Sequence, residues 1–214
     1  MSSSPTVPSE NLAVHAHRKF IMGRRVKRLV DHIVNLIPDK SSTILDVGTG
    51  TGEIAQAILE KKTTVNITGT DVYVRPRTII PVIKYDGCHL PFADNAFDLV
   101  MVIDVLHHCT DPTATLSECA RVARQGLIIK DHIANNLWDR ARLRFMDWIG
   151  NRAHGVALPY NYLSSEEWNK ALVMNKLRLK KEVRRLNLYP HPAELLFGGS
   201  LHCLYLLYPT QKDE

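Results

Sequence analysis

The segment Leu45-Asp-Val-Gly-Thr-Gly-Thr-Gly52 constrains this chain more than any other. Thr43 to Val47 is a short apolar run of the kind that forms a buried strand, and it feeds directly into Gly48, Gly50 and Gly52. Glu53 to Lys62 then has helical periodicity. A strand that turns through glycines into a helix brings bare backbone and unpaired helix N–H groups against a ligand. Asp71 ends the next apolar run, 21 residues after Gly50. An acidic side chain at that place can accept both hydroxyls of a ribose. The pattern predicts a nucleotide-binding turn in an α/β fold.

A nicotinamide dinucleotide fingerprint shares these elements. Two acids separate the candidates. Glu53 stands where that fingerprint has its third glycine, and its charge would repel the pyrophosphate. Asp46 lies two residues before the first glycine, and a ligand with a cationic centre tolerates such a carboxylate. There is no G-x-x-x-x-G-K-[ST] run, so a P-loop is excluded.

Further strands are expected at 64–70, 79–85, 97–103, 126–130, 177–188 and 201–208. Helices are expected at 11–37, at 111–123 behind Asp111-Pro112, at 135–150, and from a Ser164/Glu167 capping box to Met174. The last two strands are joined by about a dozen residues, too few for a typical helical crossover, so they should be antiparallel. The expected fold class is α/β: a three-layer sandwich around a mostly parallel seven-stranded sheet with a final antiparallel strand. Residues 1–10 read as a flexible tail and 11–214 as a single domain. Within it, 11–38 is an N-terminal helix, 43–131 a cofactor-binding core, 132–175 acceptor-binding helices and a loop, and 176–208 the terminal hairpin.

The motifs of residues 43–131 resemble class I S-adenosylmethionine-dependent methyltransferases. The likeness rests on Leu45–Gly52, Asp71, Tyr85-Asp86-Gly87, Leu90-Pro-Phe-Ala-Asp-Asn-Ala-Phe-Asp98 and Val102-Ile-Asp-Val-Leu-His-His108. The last segment is similar to the subgroup that methylates small molecules and lipids. The resemblance implies a Rossmann-like methyltransferase fold and S-adenosyl-L-methionine as cofactor. It implies that Gly48, Thr49, Gly50, Gly52 and Asp104 line the methionine end, with Asp46 orienting the amino group. Asp71, with Val72 beside it, would hold the ribose, and Asp86 and Gly87 the adenine.

Methyl transfer needs an in-line nucleophile and sometimes a base. His107, His108 and His132 lie where the fourth and fifth strands should end, and are the candidate bases. Asp131, Trp138, Tyr160 and Tyr162 are candidate acceptor contacts, the tyrosines on an exposed loop over 155–162. Leu137, Ala141, Phe145, Trp148 and Ile149 form an apolar stripe that either covers the sheet or faces the acceptor, with a lipid interface as a further reading. No metal site is expected, since His107 and His108 are adjacent and cannot easily face one ion.

The net charge of +5 and the basic residues Arg18, Lys19, Arg24, Arg25, Lys27 and Arg28 read as a solvated face, with an anionic acceptor as the alternative. No nucleic-acid recognition module is evident. Cys88, Cys109, Cys119 and Cys203 have no C-x-x-C or disulfide spacing, and residues 1–10 carry no apolar leader, which points to the cytoplasm. The expected function is methyl transfer to a small-molecule or lipid-like acceptor. The rivals are a cofactor-binding but inactive regulatory partner and a nicotinamide-dependent reductase. The oligomeric state stays open.

Overall fold

A computed structural model of the protein describes residues 12–151 and 159–210. The tail expected over 1–10 and the first part of the loop expected over 155–162 lie outside the described residues. Seven strands form one sheet: β1 (Thr43–Val47), β2 (Asn66–Asp71), β3 (Val82–Lys84), β4 (Phe97–Ile103), β5 (Ala123–His132), β6 (Leu177–Glu182) and β7 (His202–Pro209). Their order is β3-β2-β1-β4-β5-β7-β6. β7 runs antiparallel to both β5 and β6, and the remaining pairs are parallel. This is the expected sheet, with the closing hairpin placing its second strand inside rather than at the edge.

The helices are α1 (Leu12–Val34), α2 (Glu53–Lys61), α3 (Pro112–Val122), α4 (Leu137–Asn151), α5 (Ser165–Met174) and α6 (Ala193–Phe197). Side chains alternate across a strand, so β4, buried on both faces, serves two cores. Val100 and Val102 pack with Leu116, Cys119 and Trp168 of α3 and α5. Leu99, Met101 and Ile103 pack with Leu29 and Ile33 of α1 and Ala55 and Ile58 of α2. The expected caps are present. Asp111 accepts from Thr113 N and Ala114 N, and Ser164 with Glu167 closes a capping box.

Two expected strands are shorter than their apolar runs. β3 begins after Pro81, which has no N–H to give to the ladder, while Ile79 N instead bonds Thr51 O at 2.9 Å. β6 ends at Glu182. Leu186 and Leu188 are still buried, but Asn187 adopts φ +49, which no strand continues through.

β1 lies between β2 and β4, so the chain order reverses there and a crevice opens at the strands' carboxyl ends. At the opposite edge Asp98 accepts from Ser42 N (2.9 Å), Ser42 Oγ (2.8 Å) and Thr43 N (3.1 Å), and pairs with Arg124 at 2.6 Å. These bonds hold its carboxyl below the ordinary range. Asp98 is a strut between strands.

Candidate active site

A cleft of about 1080 Å³ opens at the carboxyl ends of β1, β2 and β4. Gly48, Gly50, Asp71, Val72, Asp86, Gly87, Asp104 and His108 line it. The three turn glycines have separate jobs. A Cβ on Gly48 would fall 2.4 Å from the Val105 side chain, and one on Gly52 would fall 2.7 Å from Ile80, so both are needed for packing. Gly50 has φ +61 and nothing within 4 Å of its missing Cβ, so its bare backbone faces open space. Its N–H donates to Asp71 Oδ2 at 2.8 Å, and Tyr73 N–H donates to Oδ1 at 3.0 Å. One bond to each oxygen orients the carboxylate and leaves lone pairs free.

Asp46 and Thr49 stand behind this turn. The Thr49 hydroxyl donates to Asp46 Oδ2 at 2.6 Å. Burial, opposed by that bond, pushes the Asp46 carboxyl up to about 6. Asp86 is exposed and accepts from Cys88 N and His89 N, both at 2.7 Å.

These residues fit S-adenosylmethionine. The open cradle at Gly50 admits a close backbone approach, and Asp71 can accept ribose hydroxyls. Asp86 keeps acceptor capacity for an amine, and carboxylates tolerate a sulfonium. No cation is needed to offset a pyrophosphate.

Beyond Asp104 the same sheet edge is closed by a buried network. Asp104, at φ +57, is gripped by Lys130 from β5 and Arg25 from α1. Burial alone would raise its carboxyl, but the two cations hold it well below the usual range. Arg25 therefore does not belong to the solvated basic face expected for α1. Its attraction to a buried carboxylate overrides the helix-face pattern.

Asp131 accepts from Leu106 N at 2.9 Å, from His107 Nδ1 at 2.6 Å and from His132 N at 2.7 Å. Burial would lower the His107 pKa, yet the facing Asp131 raises it above the ordinary value. His132 is driven down to about 4 by burial and by Lys130. His107 Nδ1, His132 Nδ1 and an Asp131 oxygen lie within 4.8 Å of one another, a donor set that could in principle gather around a cation. Asp131 is already saturated by three donors, and Lys130 and Arg25 add positive charge close by, so the set reads as a hydrogen-bond network.

The structure separates the sequence-derived candidates. His108 lines the cleft, half-buried, and its Nδ1 has no partner. Burial, with His107 next, lowers its pKa, so it is neutral at pH 7. His107 and His132 are buried behind it and do not line the cleft. Neither do Asp131, Trp138, Tyr160 or Tyr162. Tyr162 was expected to be exposed. Instead it is buried, its ring stacked on His107 with centroids 5.7 Å apart and its hydroxyl donating to Asp147.

The apolar stripe of α4 does not cover the sheet. Asp139, Leu143 and Asp147 face inward, while Leu137, Trp138, Phe145 and Ile149 face outward. The inward acids are satisfied by Asn135 N and Arg142 and by the Tyr162 hydroxyl, which is why polar residues can occupy the buried face. Missed in the sequence were Tyr73, Tyr85, Asp111, Ala114, Thr115 and Glu118, which line the cleft. The last four recur three and four apart on α3 and its cap, a helix-face signal available beforehand.

Residues 45–129 match the methyltransferase domain family. Over 140 residues the chain is 29% identical to the ubiquinone/menaquinone biosynthesis C-methyltransferase UbiE of Cupriavidus pinatubonensis, covering 56% of this chain and 58% of that protein. Over 159 residues it is 29% identical to the demethylmenaquinone methyltransferase of Thermotoga maritima, covering 67% and 68%. The methyltransferase solved with the Haloferax volcanii activator Trm112 has the same fold, with TM-score 0.67, 18% identity and coverage of 94% and 97%. The match spans 58% of the length of the Cupriavidus relative. Fold, cleft and likenesses together make this chain similar to class I methyltransferases.

Proposed function

We propose that the protein transfers a methyl group from S-adenosylmethionine to a small, hydroxylated, lipid-like aromatic acceptor of the quinol type. The observation that carries this reading is His108: neutral, half-buried, and lining the glycine-built cleft. A pocket for one ligand usually measures about 300–1,000 Å³. This cleft, at about 1080 Å³, leaves room for an acceptor beside the donor.

Gly50, Asp71 and Asp86 bind and orient the donor, which supplies an electrophilic methyl group. His108 accepts the acceptor's hydroxyl proton. The ring carbon made electron-rich in the phenolate attacks the methyl group in line as its bond to sulfur breaks and S-adenosylhomocysteine leaves, and that carbon then releases its proton to restore the aromatic ring. Asp131 holds the turn carrying His107 and His108 through Leu106 N–H and the His107 ring, and so acts as a positioning residue.

A lipid-like acceptor suits the outward face of α4 and α6. Leu137 is 85% exposed, Trp138 67% and Leu195 73%. Phe145 stacks on Phe197 with centroids 6.2 Å apart, making the patch continuous, and Arg140 and Arg144 lie on the same helix. Peripheral contact with an acceptor-bearing membrane would use this face. Among the described residues no helix is long and apolar enough to cross a membrane. Four free thiols support a place in the reducing cytoplasm. We read residues 43–131 as the half that lines the cleft and 132–175 as the half whose outward α4 face would meet an acceptor-bearing membrane.

The test is release of S-adenosylhomocysteine with a panel of hydroxylated aromatics, with and without isoprenoid tails, the products being identified by mass spectrometry. Turnover that rises with the tail supports the reading. Tight S-adenosylhomocysteine binding with no turnover on any acceptor would favour the regulatory partner. A co-purified nicotinamide seen by ultraviolet absorbance would favour the reductase.

A further inference from the structure

We propose, on the reading of His108 as the base, that Asn161 positions it by holding the backbone carbonyls on either side of that histidine. His108 ends a single 3-10 turn over Leu106–His108, which has no side-chain cap. The turn's own bonds run from His108 N to Val105 O at 2.8 Å and from Cys109 N to Leu106 O at 3.0 Å. A turn this short is not stable alone, because helix nucleation is unfavourable and 3-10 bond geometry is poor. Its position must be imposed from outside.

Asp131 supplies one hold, through Leu106 N and the His107 ring. Both bonds precede His108 in the chain. On the leaving side the carbonyls of His107 and Cys109 are orphans of the kind every helix end leaves. Asn161 takes both of them. Its N–H donates to His107 O at 3.2 Å, and its Nδ2 donates to Cys109 O at 2.8 Å and lies 3.4 Å from Thr110 O. One residue thus brackets His108 from 52 positions along the chain.

Asn161 is itself anchored. Tyr160 before it has φ +58, and Tyr162 N donates to Tyr160 O at 2.9 Å. Tyr162 after it is buried against the His107 ring and gives its hydroxyl to Asp147 of α4. Asn161 is half-buried and does not line the cleft, whereas His108 does, so it acts through the turn. The residue type fits the task. A carbonyl oxygen needs a donor, and a carboxylate of the same shape would present only acceptors. A lysine would donate but add a cation, opposing the proton that His108 must take up.

Asn161→Ala in the full chain keeps the main-chain bond and removes the side-chain one. Its kcat on hydroxylated aromatics should fall roughly 10–100-fold, the cost of a group displaced by about 1 Å, with KM and S-adenosylhomocysteine affinity within about threefold. Asn161→Asp keeps the shape but cannot donate, and should fall as far; a mere packing role would spare it. A readout free of turnover is the titration of the His108 ring by NMR, assigned by its absence in His108→Asn. His107, Asp147, Asp131 and Asp104, the charged groups that act on His108, are unchanged in Asn161→Ala. A rise of the His108 pKa towards the ordinary value of about 6.5 therefore reports a ring released into water. If Asn161→Ala does not fold, Asn161→Ser, too short to reach Cys109 O, replaces it. An unmoved His108 titration in the folded variant, or wild-type kcat in either variant, would overturn the proposal. Absence of wild-type turnover on every acceptor, or full turnover in His108→Asn, counts against the methyl-transfer reading alone, and the titration still decides whether Asn161 places His108.

Discussion

The two halves of the sheet's ligand-bearing edge are built on opposite plans. Around β1 and β2 the polar groups are left half-satisfied: Asp71 and Asp86 use some acceptor capacity on backbone N–H groups and keep the rest for a ligand. Around β5 the charged groups are buried and paired. Asp104 has two cations, Asp131 three donors, and Tyr162 a carboxylate. Incomplete groups recognise, whereas complete ones hold shape, because a buried charge deprived of its partner is costly. His108 stands at the junction. Its turn is held by the closed half, and its ring faces the open one.

The largest effect should come from breaking the junction. His108→Asn should lower turnover by roughly 10²–10⁴-fold, the usual range for loss of a general base, and change S-adenosylhomocysteine affinity by less than about tenfold. A base must be unprotonated, so wild-type kcat/KM should fall as pH drops through a value below the ordinary histidine pKa of about 6.5, and the variant should lack that limb. A pH–rate profile checks both.

Next is the closed half. Asp131→Ala strips the buried His107 ring and the Leu106 and His132 N–H groups of their shared acceptor and should cost about 3–5 kcal/mol in denaturant unfolding. The Asp131 carboxyl is depressed in the fold, so its contribution is present above the unfolded value of about 3.8 and is lost as pH falls towards the folded one. His107 is raised, so its contribution is present below about 6.5 and is lost as pH rises through the folded value. The variant should flatten both limbs.

In the open half, Gly50→Val should fold, with a backbone cost of about 1–2 kcal/mol at positive φ. It should weaken S-adenosylhomocysteine on the order of a hundredfold, about 2.7 kcal/mol, read by calorimetry. Undiminished affinity in a folded variant would remove the ligand from this turn.

The smallest effect tests a buried group within the open half. Asp46 is raised to about 6, so between roughly pH 4 and 6 the native state binds a proton that the unfolded state has released. Its contribution to stability therefore falls as pH rises across that window. Asp46→Asn should remove the slope, on the order of 1–2 kcal/mol in unfolding experiments run across the interval.

Local signals account for what could be read without coordinates. The glycine turn, Asp71, the caps at Asp111 and Ser164 and the apolar strands are written in adjacent residues, and so the sheet and the glycine-built wall of the cleft were legible. The closed half was not, because its bonds join residues far apart in sequence. Arg25 meets Asp104 across 79 positions. Periodicity alone would turn the apolar stripe of α4 inward. Only Tyr162 and Arg142, which satisfy Asp147 and Asp139, make the opposite orientation tenable.

The place of β7 bears on how the protein is made. β6 pairs only with β7, and β5 reaches β6 only through it. A nascent chain completed as far as Glu182 therefore carries β6 as a lone strand and exposes the edge of β5, whose residues Leu127 to Ile129 are apolar. Translation at roughly 5–20 residues per second needs on the order of 1–5 s to reach Pro209. During that interval two unpaired edges are open to wrong partners. Lys180 and Lys181 on β6 place charge on one of those edges, whereas β5 has only its partnership with β4. Slowing synthesis between these points should therefore raise the aggregated fraction more than an equal delay before β5.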